Sequence, residues 1–249
     1  MTPVEPTAAG HPNIVLRVLG AGAAQGLVTA LQEDFRVAAG AGVHGTFGAV
    51  GALMEKLLAG ERCDIVVLTA TIIADLERDG RVLPGTSAPL GRVRTGIAVR
   101  AGEVLPQVSG RAQLRDLLLA ASGIYVPDTL RSTAGIHFAR VLRRLGIHDD
   151  VAPRLRHYPN GATAMRELAS AVGSGLVGCT QITEIKYTPG IALVGPLPAE
   201  FELATVYSVA VCTAARHPDL AMRFAALLSG PASRILRANS GFECENPGS

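Results

Sequence analysis

The first 80 residues alternate between short apolar runs and segments with helical spacing. After the run 14–19, Leu27, Leu31 and Phe35 recur every four residues, the spacing of an amphipathic helix. A continuous apolar run such as 63–69 is typical of a strand buried on both faces. The pattern predicts strands at 14–19, 43–47 and 63–69 and helices at 27–39, 48–60 and 70–80. Strands that alternate with helices in this order imply a parallel sheet covered by helices.

The pattern begins again near residue 94, which predicts a second α/β unit. Further strands are predicted at 94–100, 123–128, 154–159, 175–180 and 204–212, and helices at 110–120, 133–146, 161–173, 217–230 and 231–241. The segment 191–198 contains two prolines and suits a crossing segment better than a central strand.

Two α/β units without a long linker suggest two lobes that face a cleft. We expect lobe 1 at residues 13–95 plus 200–249 and lobe 2 at residues 96–199. The segments near 95–100 and 193–207 would form the hinge. Residues 1–12 are polar and contain prolines, so a disordered N-terminal tail is expected there.

Composition narrows the classes of partner. The chain is 48% hydrophobic, carries a net charge of +2 and has no block of lysine or arginine. Aromatic residues for base stacking are scarce, so no nucleic-acid partner is expected. No apolar run approaches the roughly 18 residues of a membrane span, so no membrane insertion is expected. The four cysteines are widely spaced and form no metal-binding motif, so no metal is expected.

The first residues do not combine a basic start with an apolar stretch, the mark of an export signal. The sequence as it stands therefore predicts a cytoplasmic protein. If a signal had been removed, a periplasmic location would be expected instead.

The carboxyl ends of the predicted strands are rich in Thr, Gln, Asn and Gly. Ligands of open α/β sheets bind beyond these ends. Neutral side chains and helix N-terminal amides there can hold an anion, and this chemistry needs no cofactor. The sequence therefore predicts a small anionic ligand and no cofactor.

Four stretches carry a resemblance to a known family. They are "GAGAAQGLVTAL", "GTFGAVGALMEKLLAGERCDIVVLT", "PDTLRSTAGIHFARVL" and the C-terminal "VYSVAVC" with "FAALLSGPASRILRANSGF". In this order they resemble the type II periplasmic-binding-protein fold, and within it the molybdate-binding proteins of ABC transporters. The resemblance covers about residues 13–243. It implies two lobes, each a mainly parallel sheet flanked by helices, with the ligand cleft between them. An exported member would work with an ABC permease.

The resemblance also places ligand positions, and this chain departs from them. Serine pairs that hold a tetrahedral oxyanion in molybdate binders would fall at Ala23–Ala24 and near Ala49–Val50, and a tyrosine near Thr180 or Gln181. The hydroxyls of both turns are missing while the backbone amides remain. We therefore expect a larger anion, an organic acid with two or three carboxylates. The predicted ligand-binding residues are Ala23, Ala24, Gln25, Gly48, Ala49, Val50, Thr69, Arg131, Thr133, Ala134, Asn160, Thr163, Thr180 and Gln181.

Several of these residues have a second interpretation. "GAGAAQG" looks like a dinucleotide loop, but Gln25 stands where the third glycine is required. Arg131 is either a fork for a carboxylate or a solvent-facing loop residue. Thr133 is predicted as a helix N-cap whatever the ligand.

Two function classes follow. The first is a binding protein for a small carboxylate. The second is a cofactor-free isomerase of an unsaturated carboxylic acid, because aconitate isomerases resemble the same family. Moving a proton between two carbons requires an acid/base group. Glu184 and His137 are the candidates for that role, although a capping or surface carboxylate and a packing or surface histidine are the commoner roles at such positions.

Overall fold

Strands and helices alternate along the chain in the order that the hydrophobic pattern predicts. The structure is a computed structural model that describes residues 14–244, and the predicted tail at residues 1–12 lies outside them. The strands are β1 Val15–Ala21, β2 Gly42–Gly48, β3 Ile65–Thr69, β4 Ala88–Arg100, β5 Gly123–Pro127, β6 Leu155–Tyr158, β7 Leu176–Gln181, β8 Ile191–Pro196 and β9 Ala204–Val211. The helices are α1 Gln25–Ala39, α2 Val50–Leu58, α3 Ala70–Arg78, α4 Arg111–Ala120, α5 Thr133–Leu145, α6 His148–Val151, α7 Gly161–Ser170, α8 Ile182–Tyr187, α9 Pro218–Ser229 and α10 Arg234–Ser240.

Helix α1 shows how the pattern becomes structure. Leu27, Leu31 and Phe35 are buried against the sheet, as their spacing predicts. The helix ends at Gly40, whose φ of 65° is left-handed. Such a backbone angle favours glycine, because it has no Cβ to clash with the following carbonyl.

The sheet has two halves that share the long strand β4. In the first half the order is β2-β1-β3-β9-β4, and in the second β4 is followed by β7, β5 and β6, with β8 on its other side. Pairing is parallel among β1, β2 and β3 and among β5, β6 and β7. Pairing is antiparallel wherever β4 or β9 takes part. The mixed sheet confirms the two-lobed α/β fold and limits parallel pairing to the repeating strand–helix units.

The hydrophobic core divides at the same strands. One cluster draws its residues from positions 16–93 and 207–242, and two smaller clusters draw theirs from positions 97–201. The change of cluster falls between Val93 and Ile97 and between Phe201 and Tyr207. We call the first part lobe 1 and the second lobe 2, and the limits at 95/96 and 199/200 stay predictions.

Two short elements differ from the elements that the sequence predicts. Segment 191–198 contains strand β8, which pairs only with β4 at the sheet edge. Helix α8 directly follows β7, where the sequence predicts only a strand end. Within residues 14–244 the helices are too short or too polar to cross a bilayer.

Candidate functional site

A small cavity lies where the two lobes meet. Its volume, including space open to solvent, is about 250 Å³. Its lining residues come from strand ends and first helical turns of both lobes, and none of them is Lys or Arg. They are Ala21, Gly22, Ala23, Gly48, Ala49, Val50, Ser132, Thr133, Ala134, Asn160, Gln181, Glu184 and Tyr207.

Helix N-termini from both lobes surround the cavity. Ala49 precedes α2, Ser132 precedes α5 and Asn160 precedes α7, and each of the three lines the cavity. The turn at Gly22–Ala24, which leads into α1, also contributes to the lining. The N-terminus of a helix carries free N–H groups and about half a positive charge. The starts of α2 and α5 therefore favour negative charge in the cavity without a basic side chain.

Glu184 supplies a carboxyl group inside this cavity. The residue is 5% exposed, and its Oε2 accepts a hydrogen bond of 2.5 Å from the Thr180 hydroxyl. Burial raises the pKa of the Glu184 carboxyl, and hydrogen bonds from Thr180 and from the N–H groups of Ala162, Gln181 and Gly161 offset part of that rise. Glu184 therefore holds its proton to higher pH than an exposed glutamate.

The position of Glu184 follows from local chain chemistry. It is the third residue of α8, and it accepts a hydrogen bond from the N–H of Gln181, the N-cap residue. This is the glutamate half of a capping box. Glu184 is thus both a helix-capping carboxylate and a group that faces the ligand space.

Two glycines from different lobes make room for this carboxyl group. A Cβ at Gly22 would overlap Glu184 Oε1, and a Cβ at Gly161 would overlap both Glu184 Oε2 and Thr180 Oγ1. Glycine at these positions lets the backbone approach the carboxyl group closely. The glycine-rich turn after β1 therefore leaves space for the buried Glu184 carboxyl group of lobe 2. Its resemblance to a nucleotide-binding loop does not suggest this role.

Tyr207 and Gln181 form another polar part of the cavity lining. The Gln181 Nε2 donates a hydrogen bond of 3.1 Å to the Tyr207 hydroxyl, and Thr133 also hydrogen-bonds that hydroxyl. Burial and the nearby Glu184 raise the pKa of Tyr207, which therefore stays a neutral donor. Gln181 Oε1 is buried and has no partner among the described residues. A half-turn of the amide would exchange its oxygen and nitrogen, so Gln181 can offer the ligand an acceptor or a donor.

The structure brings most of the predicted binding residues to this cavity. Those that line it are Ala23, Gly48, Ala49, Val50, Thr133, Ala134, Asn160 and Gln181. Thr180 lies behind Glu184 and donates to it. The predicted cap at Thr133 is wrong by one residue, because Ser132 occupies the N-cap position of α5. Asn160 does cap α7, with its side chain accepting from the N–H of Thr163 at 2.8 Å.

Other predicted residues lie away from the cavity, because their local contacts orient them elsewhere. Arg131 is exposed and its Nε lies 3.4 Å from Glu55 Oε1, so its side chain follows the solvent-facing interpretation. His137 directs its Nε2 to the carbonyl oxygen of Phe201 at 2.7 Å, a packing contact that keeps it out of the site. Thr69 pairs its hydroxyl with Thr71 at 3.2 Å.

Three more predicted residues do not line the cavity. Ala24 is fully buried in the core of lobe 1. Gln25 is the first residue of α1 and is only half-buried. Thr163 accepts a hydrogen bond of 3.0 Å from Arg166 on the surface of α7. Ala24 and Gln25 follow the lining residue Ala23 by one and two positions, and Thr163 follows Asn160 by three. These steps along a helix start turn the side chains out of the cavity.

Sequence reasoning missed Ala21, Gly22, Ser132 and Tyr207. Tyr207 pairs with Thr69 across antiparallel strands β3 and β9, which places it at the cleft end of the sheet. Only long-range pairing reveals this, since Tyr207 itself sits in an unremarkable apolar run. A signal for Gly22 exists in the glycine spacing, but its partner Glu184 lies 162 positions further along the chain.

Comparisons with known proteins agree with this architecture. An aconitate isomerase from Pseudomonas sp is 26% identical over 225 residues, which are 87% of this chain and 82% of that protein. The periplasmic molybdate-binding protein of Azotobacter vinelandii superposes with a TM-score of 0.77 at 18% identity, covering 93% of this chain and 100% of that chain. The sulfate-binding protein SubI of Mycobacterium tuberculosis H37Rv superposes with a TM-score of 0.69 at 18% identity, covering 94% and 88%.

The family comparison is decisive because it spans nearly the whole described chain. The model of the bacterial extracellular solute-binding proteins matches residues 16–243. This range includes both lobes and every residue that lines the cavity. The chain therefore belongs to the bacterial extracellular solute-binding protein family.

Proposed function

We propose that the chain binds a small organic anion with two or three carboxylates in the cavity between its lobes. The observation that carries the proposal is the convergence of the first turns of α2 and α5 on a space that holds a buried, unpartnered amide atom of Gln181. Free N–H groups at helix starts bind carboxylates well. A buried polar atom without a partner is costly, which favours a ligand that supplies one.

The apolar lining favours a carbon skeleton over an inorganic oxyanion. Ala23, Ala49 and Val50 present methyl groups where a tetrahedral oxyanion would need further donors. A carboxylic acid needs donors only at its ends, and its carbon atoms can pack against methyl groups.

The relatives support a small anion, and one of them supports a tricarboxylate. The Pseudomonas protein is named for aconitate, a tricarboxylate, and two structural neighbours are named for molybdate and sulfate. A transport role would also require delivery of the ligand to an ABC permease. That partner is part of the proposal, because one neighbour is described as the substrate-binding domain of a putative molybdenum ABC transporter.

Calorimetry tests the binding proposal. The probe is tricarballylate, a saturated tricarboxylate with no double bond to rearrange, and molybdate and sulfate are compared with it. We expect the wild type to bind tricarballylate more tightly than either inorganic anion. Gln181→Met keeps the side-chain volume and removes the amide, so it should weaken tricarballylate at least tenfold, while Gln107→Met on the exposed surface leaves it unchanged. Binding of molybdate or sulfate alone would contradict the proposal.

One observation favours isomerisation as a second candidate function. A binder needs only donors, whereas this cavity also contains Glu184, an acid with a raised pKa beside the neutral Tyr207. In an allylic shift, the Glu184 carboxylate would take a proton from the methylene carbon of aconitate. The double bond would move by one carbon, and Glu184 would return the proton to the carbon that was formerly vinylic. No net proton, electron or cofactor is consumed.

Proton NMR in D₂O tests this second candidate. The wild type should convert cis-aconitate into trans-aconitate, with deuterium entering at carbon. Glu184→Gln should abolish turnover yet retain tricarballylate binding. Glu167→Gln, an exposed change on α7, should match the wild type. If wild-type protein binds tricarballylate but never converts cis-aconitate, isomerisation is excluded and the binding proposal stands.

A further inference from the structure

A second cavity lies at the opposite end of lobe 1 and is lined mostly by basic side chains. They are Arg17, His44, Arg62, Arg216 and His217, which we call the basic cluster, and Ile14 and Val15 complete the lining. Its volume, including space open to solvent, is about 1,100 Å³, larger than that of the cavity between the lobes on the same measure. Strand β1 runs from this cavity to the other, and four residues of strand separate Arg17 from Ala21 by roughly 13 Å.

Separate parts of the chain supply the basic cluster. Arg17 on β1 and His44 on β2 are direct neighbours across parallel strands. Arg62 lies just before β3, and Arg216 and His217 immediately precede α9. The twelve-residue helix α9 begins at this cavity and adds the positive end of its dipole. The convergence is therefore a product of the fold, because these residues are scattered through the sequence.

A buried carboxylate fixes the backbone beneath the basic cluster. Asp64 is 1% exposed, and its two oxygens accept from the backbone N–H groups of Arg17 at 2.7 Å and Arg216 at 3.0 Å. These bonds occupy the carboxylate oxygens and leave the guanidinium groups of both arginines available. Asp219 in the first turn of α9 does not line the cavity.

The side chains of the basic cluster lack carboxylate partners within residues 14–244. Some exposed arginines of this protein form ion pairs, such as Arg36 with Glu33 and Arg78 with Asp75. No salt bridge of the described chain includes a member of the basic cluster, and Arg62 Nε is buried without a partner. Cations held together in this way repel one another, and a bound anion relieves that repulsion.

We propose that the basic cluster binds a ligand that carries two or more phosphoryl groups. Guanidinium groups match phosphate oxygens in paired hydrogen bonds. Three arginines around one cavity provide more positive charge than a single carboxylate requires, and the volume leaves room for linked phosphoryl groups. The inference stands apart from the proposed function, since the basic cluster shares no residue with the cavity between the lobes.

Calorimetric titration with inorganic pyrophosphate and with ADP tests the inference. Both should bind the wild type, and saturating tricarballylate should not displace them. ADP that binds more tightly than pyrophosphate identifies a nucleotide as the source of the phosphoryl groups, and equal affinities identify the phosphoryl pair alone. Failure of both probes to bind, or displacement by tricarballylate, overturns the inference.

Matched double variants locate the binding. Arg17→Gln with Arg216→Gln removes two exposed charges of the basic cluster, and pyrophosphate affinity should fall at least tenfold. Arg140→Gln with Arg143→Gln removes two exposed charges from α5 and should leave affinity within twofold of wild type. Equal losses in the two double variants indicate attraction by net charge alone and overturn the inference. Far-ultraviolet circular dichroism confirms that both double variants are folded.

Discussion

The cavity between the lobes and the basic cluster favour anions in different ways. The cavity between the lobes is small and free of basic side chains, and its positive potential comes from helix N-termini. The basic cluster is largely exposed and gathers three arginines without carboxylate partners. Strand β1 connects the two, with its carboxyl end at the first and its amino end at the second.

The difference between the two cavities determines how selectively each one binds a ligand. Fixed N–H groups in a small cavity favour one ligand shape over others, because each donor left without a partner is costly. Flexible arginines on an open surface attract many anions, and salt screens them strongly. The first cavity therefore suits recognition of a particular solute, and the second suits a highly charged ligand. The following predictions test this comparison.

The largest effect is expected from Gly22→Ala, which fills the space that Glu184 occupies. Its Cβ would overlap Glu184 Oε1. Overpacking of this kind costs about 1–3 kcal/mol of unfolding free energy. Displacement of the carboxyl group should also weaken tricarballylate at least tenfold. Urea unfolding and calorimetry measure the two effects, and Gly110→Ala, whose Cβ meets nothing within 4 Å, is the control. Wild-type binding by Gly22→Ala would refute the described packing.

The second prediction concerns pH and Glu184. Burial raises the pKa of its carboxyl group above the ordinary 4.5, so the folded state binds more protons than the unfolded state above that pH. Stability therefore falls as pH rises through the interval between the two pKa values, by at most about 1.4 kcal/mol per pH unit. Urea unfolding from pH 4 to pH 8 should show Glu184→Gln gaining stability relative to wild type. Parallel curves for the two proteins would contradict a raised pKa.

The third prediction restores hydroxyl groups to the cavity. Ala23→Ser with Ala49→Ser adds two donors where the methyl groups now lie. At about 0.5–1.5 kcal/mol per hydrogen bond, sulfate or molybdate should bind roughly tenfold more tightly, and tricarballylate less tightly. Calorimetry measures both, with Ala59→Ser on the surface as control. Unchanged preference in the double variant would show that the methyl groups do not select the ligand.

The smallest effect is expected from Arg131→Gln on the exposed surface. Its ion pair with Glu55 is exposed on both sides, with 54% and 62% of the side chains accessible. Exposed pairs contribute about 0.2–1 kcal/mol. Tricarballylate affinity should therefore stay within about twofold of wild type in calorimetry. A loss of tenfold or more would show that Arg131 turns into the cleft and grips the ligand.

Much of the fold could be predicted because it rests on local patterns. The apolar spacing of Leu27, Leu31 and Phe35 and the stop at Gly40 define α1 within a few residues. The antiparallel insertion of β9 between β3 and β4 could not be predicted in this way, because it depends on pairing between distant segments. Helix α8 escaped notice because six residues carry too little periodicity to stand out.

The site was predictable in position but not in composition. Strand ends and helix starts pointed to Ala49, Ala134 and Asn160, since their place follows from local structure. Arg131 instead contacts Glu55, and His137 contacts Phe201. The sequence next to Arg131 and His137 does not reveal these long-range contacts. Tyr207 and Gly22 enter the site only through packing between chain segments that lie far apart in the sequence.

The most direct test of the central claim is a crystal structure of the chain with tricarballylate. The account predicts the ligand between the lobes, with its carboxylate oxygens about 2.7–3.2 Å from the Gln181 amide and from backbone N–H groups at the starts of α2 and α5. Glu184 should lie beside the ligand. Tricarballylate bound at the basic cluster, with the cavity between the lobes left without ligand, would contradict the account.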